Sequence, residues 1–323
     1  MYVVELAGED DAFAIAEARA ATDGLELLGP GVATARRLDR GRFRGLAFSH
    51  RGSELLARCR ADIGQARSAL QDADMDRRGT VAVRARDVRG TADVDTQAAE
   101  RALGTVLTDR GLEVDLESPD AELIAIFTGD TCVLAWTVVR AERGFGDRAP
   151  TDRPFFQPGS MDPQLARAVL NLARAAPGDT VLDPMCGTGG LLIEAGLLGA
   201  VPLGFDAQSK MVEGTRRNLV EFLDGAPFVA LADATALPLA DGVVDVVVFD
   251  APYGRQSKIA THDLSDLVAG ALREAARVGE RCVMVADRDW TSVVEGTGWQ
   301  VAGRFERPVH RSLVRHVHVL ERE

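Results

Sequence analysis

The 323-residue sequence predicts an α/β protein whose C-terminal half forms a doubly wound, Rossmann-like parallel sheet closed by an antiparallel hairpin, preceded by an α+β region. Three observations predict this arrangement. Short β-branched runs alternate with helical segments after residue 159, which is typical of a parallel sheet. The last two apolar runs are too close together for a crossover helix, so they should pair antiparallel. A Pro- and Gly-rich stretch over residues 141–159 separates the two regions.

The elements of the C-terminal half follow from their periodicity. Ser160 and Pro163 are start signals for a first helix over Leu165–Ala175. Predicted strands follow at Thr180–Asp183, Val201–Asp206, Phe228–Ala232, Val243–Asp250, Glu280–Ala286, Trp299–Glu306 and Leu313–Leu320, the last two joined at Arg307-Pro308. Predicted helices between them are Gly190–Leu198, Ser209–Leu223, Leu264–Val278 and Asp289–Gly296.

The N-terminal region has a mixed pattern. We predict strands at Met1–Leu6 and over residues 79–86, and helices at Asp11–Thr22 and Gln97–Arg110. A hairpin over residues 123–139 is expected to turn at Gly129-Asp130. No catalytic cluster is evident in this region.

Composition restricts the class of protein. The four cysteines are far apart and form no C-x-x-C pair, which argues against a zinc site and a secreted disulfide scaffold, so no metal is expected. The first residues are acidic where a signal peptide needs basic residues, and no apolar run approaches the ~20 residues of a membrane span. We therefore expect a cytoplasmic protein without membrane contact, and nothing in the sequence requires more than a monomer.

The charge balance is acidic, with 37 Lys plus Arg, 49 Asp plus Glu and a net charge of −12. Only Lys210 and Lys258 are lysines. Acidic, lysine-poor surfaces are typical of proteins in a salt-loaded cytoplasm, where salt screens self-repulsion. A GC-rich genome that replaces lysine with arginine would explain the same composition.

One segment departs from this balance. Residues 34–89 contain fourteen arginines and seven acids, whereas the segments on both sides are acidic. This basic segment, with Arg84 and Arg86 on a predicted strand, indicates either a polyanion site or a solvated face whose arginines pair with nearby acids.

Four consecutive predicted strands end in or beside an aspartate: Asp183, Asp206, Asp233 and Asp250. Open α/β sheets bind ligands at this carboxyl edge. The first turn, Cys186-Gly187-Thr188-Gly189, is Gly-rich but lacks the G-x-G-x-x-G dinucleotide fingerprint, which disfavours a nicotinamide dehydrogenase. An aspartate that opens this turn suits a cationic ligand better than a pyrophosphate.

This order of motifs resembles the class I S-adenosylmethionine-dependent methyltransferases. Asp250-Ala251-Pro252-Tyr253 is similar to the D/N-P-P-Y/F motif of amino-methyltransferases, with alanine where the family usually has proline. The segments DPMCGTGG, FDAPYGRQS, PGSMDPQLAR and HRSLVR resemble the archaeal tRNA guanosine-10 N2-methyltransferases. That resemblance implies tRNA as partner, a ferredoxin-like piece over residues 1–50, a THUMP RNA-binding domain over 51–142, a linker over 143–158 and the methyltransferase domain over 159–323.

The resemblance also implies a role for each site residue. Asp183, Cys186, Gly187, Thr188 and Gly189 would hold the methionine moiety of S-adenosylmethionine, Asp206 the ribose, and Asp233 and Ala234 the adenine. Asp250 and the Ala251 carbonyl would accept hydrogen bonds from the target amine, Pro252 would stiffen the loop, and Tyr253 would stack on the base. RNA contacts are assigned to Arg84, Arg86, Arg255, Lys258, His310 and Arg311.

Alternatives remain open at this point. The same chemistry would serve a DNA adenine or cytosine methyltransferase, or one acting on another RNA. A third hypothesis is a non-catalytic RNA-binding protein with a relic methyltransferase fold. The complete Asp250–Tyr253 motif disfavours it. The sequence does not decide between one methyl group and two.

Overall fold

A computed structural model describes residues 1–253, 264–311 and 313–323 of the chain. The chain divides into two compact units, Met1–Glu142 and Arg143–Glu323. Within the described residues, no helix is long and apolar enough to cross a membrane.

The first unit is built around one mixed sheet of the order β3-β4-β1-β6-β10-β9-β7-β8. Its strands are β1 (Tyr2–Leu6), β2 (Thr22–Asp23), β3 (Glu26–Gly29), β4 (Val32–Ala35), β5 (Arg37–Leu38), β6 (Ser49–Arg60), β7 (Thr80–Asp87), β8 (Glu113–Val114), β9 (Ala121–Thr128) and β10 (Thr131–Arg140). Its helices are α1 (Asp11–Ala18), α2 (Arg40–Arg44), α3 (Ile63–Asp72) and α4 (Thr96–Asp109). The short strands β2 and β5 pair outside this sheet.

The sheet is continuous across the domain boundary that we expected at residue 50. That boundary falls inside β6, which pairs with β1 on one side and with β10 on the other. The two expected N-terminal pieces therefore share one sheet. The predicted hairpin is present as β9 and β10, with the pair Thr128–Thr131 next to the turn.

The second unit contains a seven-stranded sheet among its described residues, in the order β13-β12-β11-β14-β15-β17-β16. Its strands are β11 (Thr180–Asp183), β12 (Val201–Asp206), β13 (Phe228–Leu231), β14 (Val244–Asp250), β15 (Gly279–Ala286), β16 (Trp299–His310) and β17 (Leu313–Arg322). Its helices are α5 (Pro163–Leu172), α6 (Gly190–Leu197), α7 (Ser209–Phe222), α8 (Leu264–Val278) and α9 (Thr291–Val294). Strands β11 to β15 pair in parallel and β17 is antiparallel to both its neighbours, which confirms the predicted fold class.

Two predicted elements in this unit are wrong in detail. The final hairpin does not turn at Arg307-Pro308, because β16 continues to His310 and Pro308 pairs with Val314. Since β16 is the edge strand of the sheet, a residue without an N–H is tolerated there. The helix predicted over Asp289–Gly296 is only the single turn α9.

The segment expected to be a linker packs into the second unit. Asn218 on α7, which is fully buried, accepts the Phe155 N–H and donates to the Phe155 carbonyl, both at 2.8 Å. The same amide donates to the Thr188 carbonyl at 2.9 Å. One side chain therefore joins the chain before α5 to the Gly-rich turn after β11.

The core beneath the carboxyl edge of the sheet is apolar. Phe205, Phe249, Met284 and Trp299 belong to one cluster between the sheet and α8, and each is less than 2% exposed. The Trp299 Nε1–H donates to the Leu272 carbonyl at 2.9 Å, so its polar atom is satisfied. This packing makes the strand ends a rigid base for the loops that follow them.

Candidate active site

The Gly-rich turn after β11 is held by the aspartates that end β11 and β12. Asp183 is 2% exposed and accepts the Met185 N–H at 3.0 Å. Asp206 accepts the Gly187 N–H on Oδ2 at 3.0 Å and the Gln208 N–H on Oδ1 at 2.9 Å. Gly187 and Gly189 have φ values of +52° and +78°, a conformation that glycine adopts without strain. The sequence therefore forms a tight turn whose backbone is open to a ligand.

The Cys186 side chain packs inside this turn. It is 5% exposed, and its Sγ lies 3.8 Å from the Thr215 hydroxyl. Burial, helped by the nearby Asp183 and Asp206 carboxylates, raises the pKa of the Cys186 thiol well above its ordinary value. The thiol is therefore neutral and is suited to packing rather than to nucleophilic attack.

A cavity of about 200 Å³ lies between this turn and the segment 157–161. Its wall includes Asp183, Thr188 and Met211 as well as Asp250 at the end of β14. The Ser160 and Thr188 hydroxyls are 3.0 Å apart and join the two sides of the cavity. The structure thus brings the predicted cofactor turn and the predicted catalytic aspartate to one cavity.

The cavity is acidic and favours a cation. Burial raises the pKa of Asp183 well above its ordinary value, and repulsion from Asp206 and Asp250 raises it further. Burial likewise raises the pKa of Asp206. A positively charged group placed among these carboxylates would relieve both the repulsion and the cost of burial. The sulfonium and ammonium groups of S-adenosylmethionine meet this requirement.

A buried arginine packs behind the turn. Arg153 is 5% exposed, and its Nη1 and Nη2 have no hydrogen-bond partner among the described residues. A Cβ placed on Gly190 would lie 3.0 Å from Nη1, so the guanidinium packs closely against the start of α6. Burial lowers the pKa of Arg153, and the neighbouring Glu194 carboxylate opposes that effect.

The predicted adenine residues lie after β13. Asp233 is exposed, and its Oδ1 accepts both the N–H and the hydroxyl of Thr235 at 2.8 Å. Ala234 is 5% exposed. Neither residue lines the 200 Å³ cavity, and their roles toward adenine stay predictions.

The catalytic motif begins at the end of β14. The Asp250 side chain is 23% exposed, and its Oδ1 accepts the Tyr253 hydroxyl at 2.9 Å. Ala251 is buried, and its N–H donates to the Val285 carbonyl at 2.8 Å, which anchors the loop to β15. Pro252 and Tyr253 are half-buried. The carboxylate thus sits at the rim of the cavity on a fixed backbone.

Sequence reasoning missed one member of this site. Arg315 on β17 is 2% exposed and donates from Nε to the Tyr253 hydroxyl at 2.9 Å. Its Nη2 lies 3.6 Å from Asp250 Oδ2. The signal for it in the sequence is its place at the end of the segment HRSLVR, which also contains His310 and Arg311.

The predicted RNA contacts lie in different settings. Arg84 donates from Nη2 to the Leu116 carbonyl at 2.8 Å, and Arg86 pairs with the buried Glu5 at 2.9 Å. His310 and Arg311 are exposed at the end of β16 and directly after it. Arg255 and Lys258 lie outside the described residues.

Solved structures share the fold. TrmN from Thermus thermophilus matches with a TM-score of 0.52 and 22% identity, over 100% of this chain and 99% of that chain. SMU.472 in its complex with SAH matches with a TM-score of 0.53 and 14% identity, over 100% of this chain and 98% of that chain. The fold is that of the class I methyltransferases, and the acidic, glycine-lined cavity suits S-adenosylmethionine.

Sequence comparison gives the family. The family model of the RMKL-like methyltransferase domain matches residues 150–316. A tRNA (guanine(10)-N2)-dimethyltransferase of Methanothermobacter thermautotrophicus is 37% identical over 86% of this chain and 83% of its own length. One from Pyrococcus abyssi is 34% identical over 76% of this chain and 74% of its own length. The chain belongs to the tRNA (guanine(10)-N2)-dimethyltransferase family.

Replacing Asp206 with alanine should weaken S-adenosylmethionine binding by about 10- to 100-fold, since losing a charge-assisted hydrogen bond costs roughly 1.5–3 kcal/mol. Each Asp206 oxygen uses one lone pair on a backbone N–H and keeps another for a ribose hydroxyl. Equilibrium dialysis measures the dissociation constant. Asp224→Ala, which removes an exposed carboxylate two residues after α7, serves as the control. Unchanged affinity in Asp206→Ala would contradict the assignment.

Proposed function

We propose that this protein transfers methyl groups from S-adenosylmethionine to the exocyclic N2 amine of a guanosine in tRNA, at position 10. The observation that carries the proposal is the position of the Asp250 carboxylate, at the rim of the cavity that the cofactor turn lines. The names of the related proteins supply the substrate and the position.

The chemistry required of the protein is mainly orientation. The lone pair of a guanine N2 amine is delocalised into the ring, so the amine is a poor nucleophile until its hydrogens are held. Hydrogen bonds from the amine to the Asp250 carboxylate and the Ala251 carbonyl would turn the lone pair toward the cofactor. Bound S-adenosylmethionine supplies a methyl group activated by its sulfonium. Holding reactants in this geometry can contribute several kcal/mol to catalysis.

The proton balance involves Asp250. As the C–N bond forms and the C–S bond breaks, the amine becomes cationic, and one of its protons passes to the Asp250 carboxylate. At the ordinary pKa of an aspartate this base would be weak. Burial raises the pKa of Asp250 to about 6, against the opposing effect of Arg315, which makes it a better proton acceptor.

This pKa sets the expected pH dependence. Because the carboxylate must be ionised to accept, the rate of methyl transfer should rise with pH and level off above about pH 6. Below that value it should fall about tenfold per pH unit. Single-turnover transfer to tRNA, measured across a pH series at saturating cofactor, checks this. A flat profile between pH 4.5 and 7 would exclude a group of this pKa from the transfer step.

We propose that the first unit is a THUMP-type RNA-binding region and that Arg84 contacts phosphate. Its guanidinium bonds a neutral carbonyl and keeps its charge available. Arg86 instead pairs with Glu5 Oε1, while Arg51 pairs with Glu5 Oε2. Arg84→Gln should therefore reduce the salt dependence of tRNA affinity by about one unit of slope, and more than Arg86→Gln does.

The measurement is a filter-binding titration over a series of salt concentrations. Arg84→Lys keeps the charge and should keep the slope, and cofactor affinity should be unchanged in all three variants. Equal salt-dependence slopes for the wild-type protein and Arg84→Gln would show that Arg84 has a purely structural role.

The experiment that tests the function incubates the protein with labelled S-adenosylmethionine and unmodified tRNA and digests the product to nucleosides. We expect label in N2-methylguanosine and, at longer times, in the N2,N2-dimethyl nucleoside. Duplex DNA and unrelated RNA are offered in parallel. Label in another nucleoside, or in DNA or unrelated RNA in preference to tRNA, would overturn the proposal, and so would a protein that binds tRNA but transfers no methyl group.

A further inference from the structure

Arg315 connects three segments of the second unit that are far apart in sequence. Its side chain is 3% exposed. Nε donates to the Tyr253 hydroxyl at 2.9 Å, and Nη2 donates to the Gly159 carbonyl at 2.7 Å. Nη2 also lies 3.6 Å from Asp250 Oδ2. One guanidinium thus contacts the cavity wall, the tyrosine and the carboxylate of the acceptor motif.

These contacts fix the direction of the hydrogen bonds. A guanidinium can only donate, so the Tyr253 oxygen accepts from Arg315. The Tyr253 hydroxyl hydrogen is then directed to Asp250 Oδ1, 2.9 Å away. Arg315 therefore acts on Asp250 twice, directly through its charge and indirectly through Tyr253.

The contact with Gly159 extends this network to the cofactor side. Gly159 belongs to the segment 157–161 that lines the cavity, and its φ of +88° favours glycine. Because Arg315 holds this wall and the acceptor loop together, it can set the distance between the two reacting partners.

Among the charges around Asp250, Arg315 is the main one that stabilises the ionised form of its carboxyl group. Asp183 ends the neighbouring strand β11, and Asp287 follows β15 on the other side; both are acids. Arg315 on β17 is the cation that opposes the effect of burial on Asp250, and the Tyr253 hydrogen bond acts in the same direction. Without Arg315, a partly buried carboxylate beside two acids would favour its protonated form.

We propose that Arg315 is a positioning residue for methyl transfer, which keeps the Asp250 carboxylate ionised and the Tyr253 ring oriented beside the cavity. This inference rests on the proposed function for its catalytic consequence. The contacts of Arg315 with Tyr253, Asp250 and Gly159 do not depend on that function.

The test replaces Arg315 with methionine, which keeps much of the length and removes the charge and the donors. The acid limb of the single-turnover pH profile should move to higher pH by about one unit or more, as expected when an opposite charge is removed from an aspartate. The plateau rate should fall about tenfold, while cofactor affinity should stay within about threefold of the wild-type value. An acid limb that does not move would overturn the proposal.

Two further variants separate this role from a structural one. Arg315→Lys keeps the charge and should leave the acid limb close to that of the wild type, even where the plateau rate falls. Arg281→Met removes an arginine of β15 that bonds Asp179 and the Arg174 carbonyl, and should leave the pH profile unchanged. If Arg315→Met fails to fold, the lysine variant tests the proposal instead. An acid limb that moves although the positive charge is retained would contradict it.

A measurement without substrate distinguishes this inference from the proposed function. Carbon-13 NMR of protein labelled in aspartate follows the titration of the Asp250 carboxyl, with Asp250→Asn as the assignment standard. The Asp250 titration should move upward in Arg315→Met whichever nucleic acid the enzyme modifies. An unmoved titration refutes the positioning role, whereas a moved titration in a protein that does not methylate tRNA refutes only the choice of substrate.

Discussion

Asp250→Asn should lower the rate of methyl transfer at least about 100-fold while the protein still binds S-adenosylmethionine, because an amide can neither take the amine proton nor accept as strongly. Asp250 lies at the cavity rim, and the variant keeps the second acid of the cavity wall, Asp183. Asp206, which accepts the Gly187 N–H of the cofactor turn, is also unchanged. Single-turnover transfer to tRNA gives the rate, and equilibrium dialysis gives the cofactor affinity. The two measurements together separate a catalytic role from a binding role.

The matched control is Asp245→Asn on the same strand. Asp245 is exposed, accepts the Thr180 N–H at 2.8 Å and does not line the cavity. An asparagine keeps an acceptor for that N–H, so transfer should stay within about twofold of the wild-type rate. A near-normal rate in Asp250→Asn would show that the mechanism is wrong, and equal losses in both variants would indicate damage to the fold.

Glu194→Ala should destabilise the protein by about 3–5 kcal/mol, which is the usual effect of removing one member of a buried ion pair. Glu194 on α6 is fully buried and pairs with Arg148 and, at 3.0 Å, with Arg167. Arg153 is a third guanidinium whose charge Glu194 compensates. Without the carboxylate, buried positive charges face one another at the base of the cofactor turn.

Chemical denaturation measures the change in the free energy of unfolding. Glu213→Ala is the control, because Glu213 forms an exposed pair with Arg217 on α7 that should contribute less than about 1 kcal/mol. Equal losses for the two variants would mean that the buried cluster around Glu194 is not the stabilising feature.

The features that could be predicted from sequence are those with a local pattern. Each of β11, β12 and β14 is a short, mostly apolar run that ends in an aspartate, so the carboxyl edge and its acids followed from chain order and the rule for parallel sheets. The Gly-rich turn was visible because glycine marks the two positions with positive φ. These patterns sufficed for the fold class and for the position of the candidate site.

The features that could not be predicted depend on contacts between distant segments. In the sequence, Arg315 is indistinguishable from an ordinary strand residue. Only the pairing of β17 with β15 brings it next to Asp250, which lies 65 positions earlier. The Arg86–Glu5 pair likewise requires β1 and β7 to lie in one sheet. The raised pKa of Asp250 is also invisible in sequence, because it arises from burial at that strand end.

The most direct test of the account compares two tRNA transcripts that differ by one functional group. One carries guanosine at position 10, and the other carries inosine, which lacks only the exocyclic N2 amine. The protein should bind both transcripts alike and transfer label from S-adenosylmethionine to the guanosine transcript alone. Equal labelling of the two would show that another atom of the tRNA accepts the methyl group. It would also contradict the assignment of Asp250 and Ala251 as hydrogen-bond acceptors for an N2 amine.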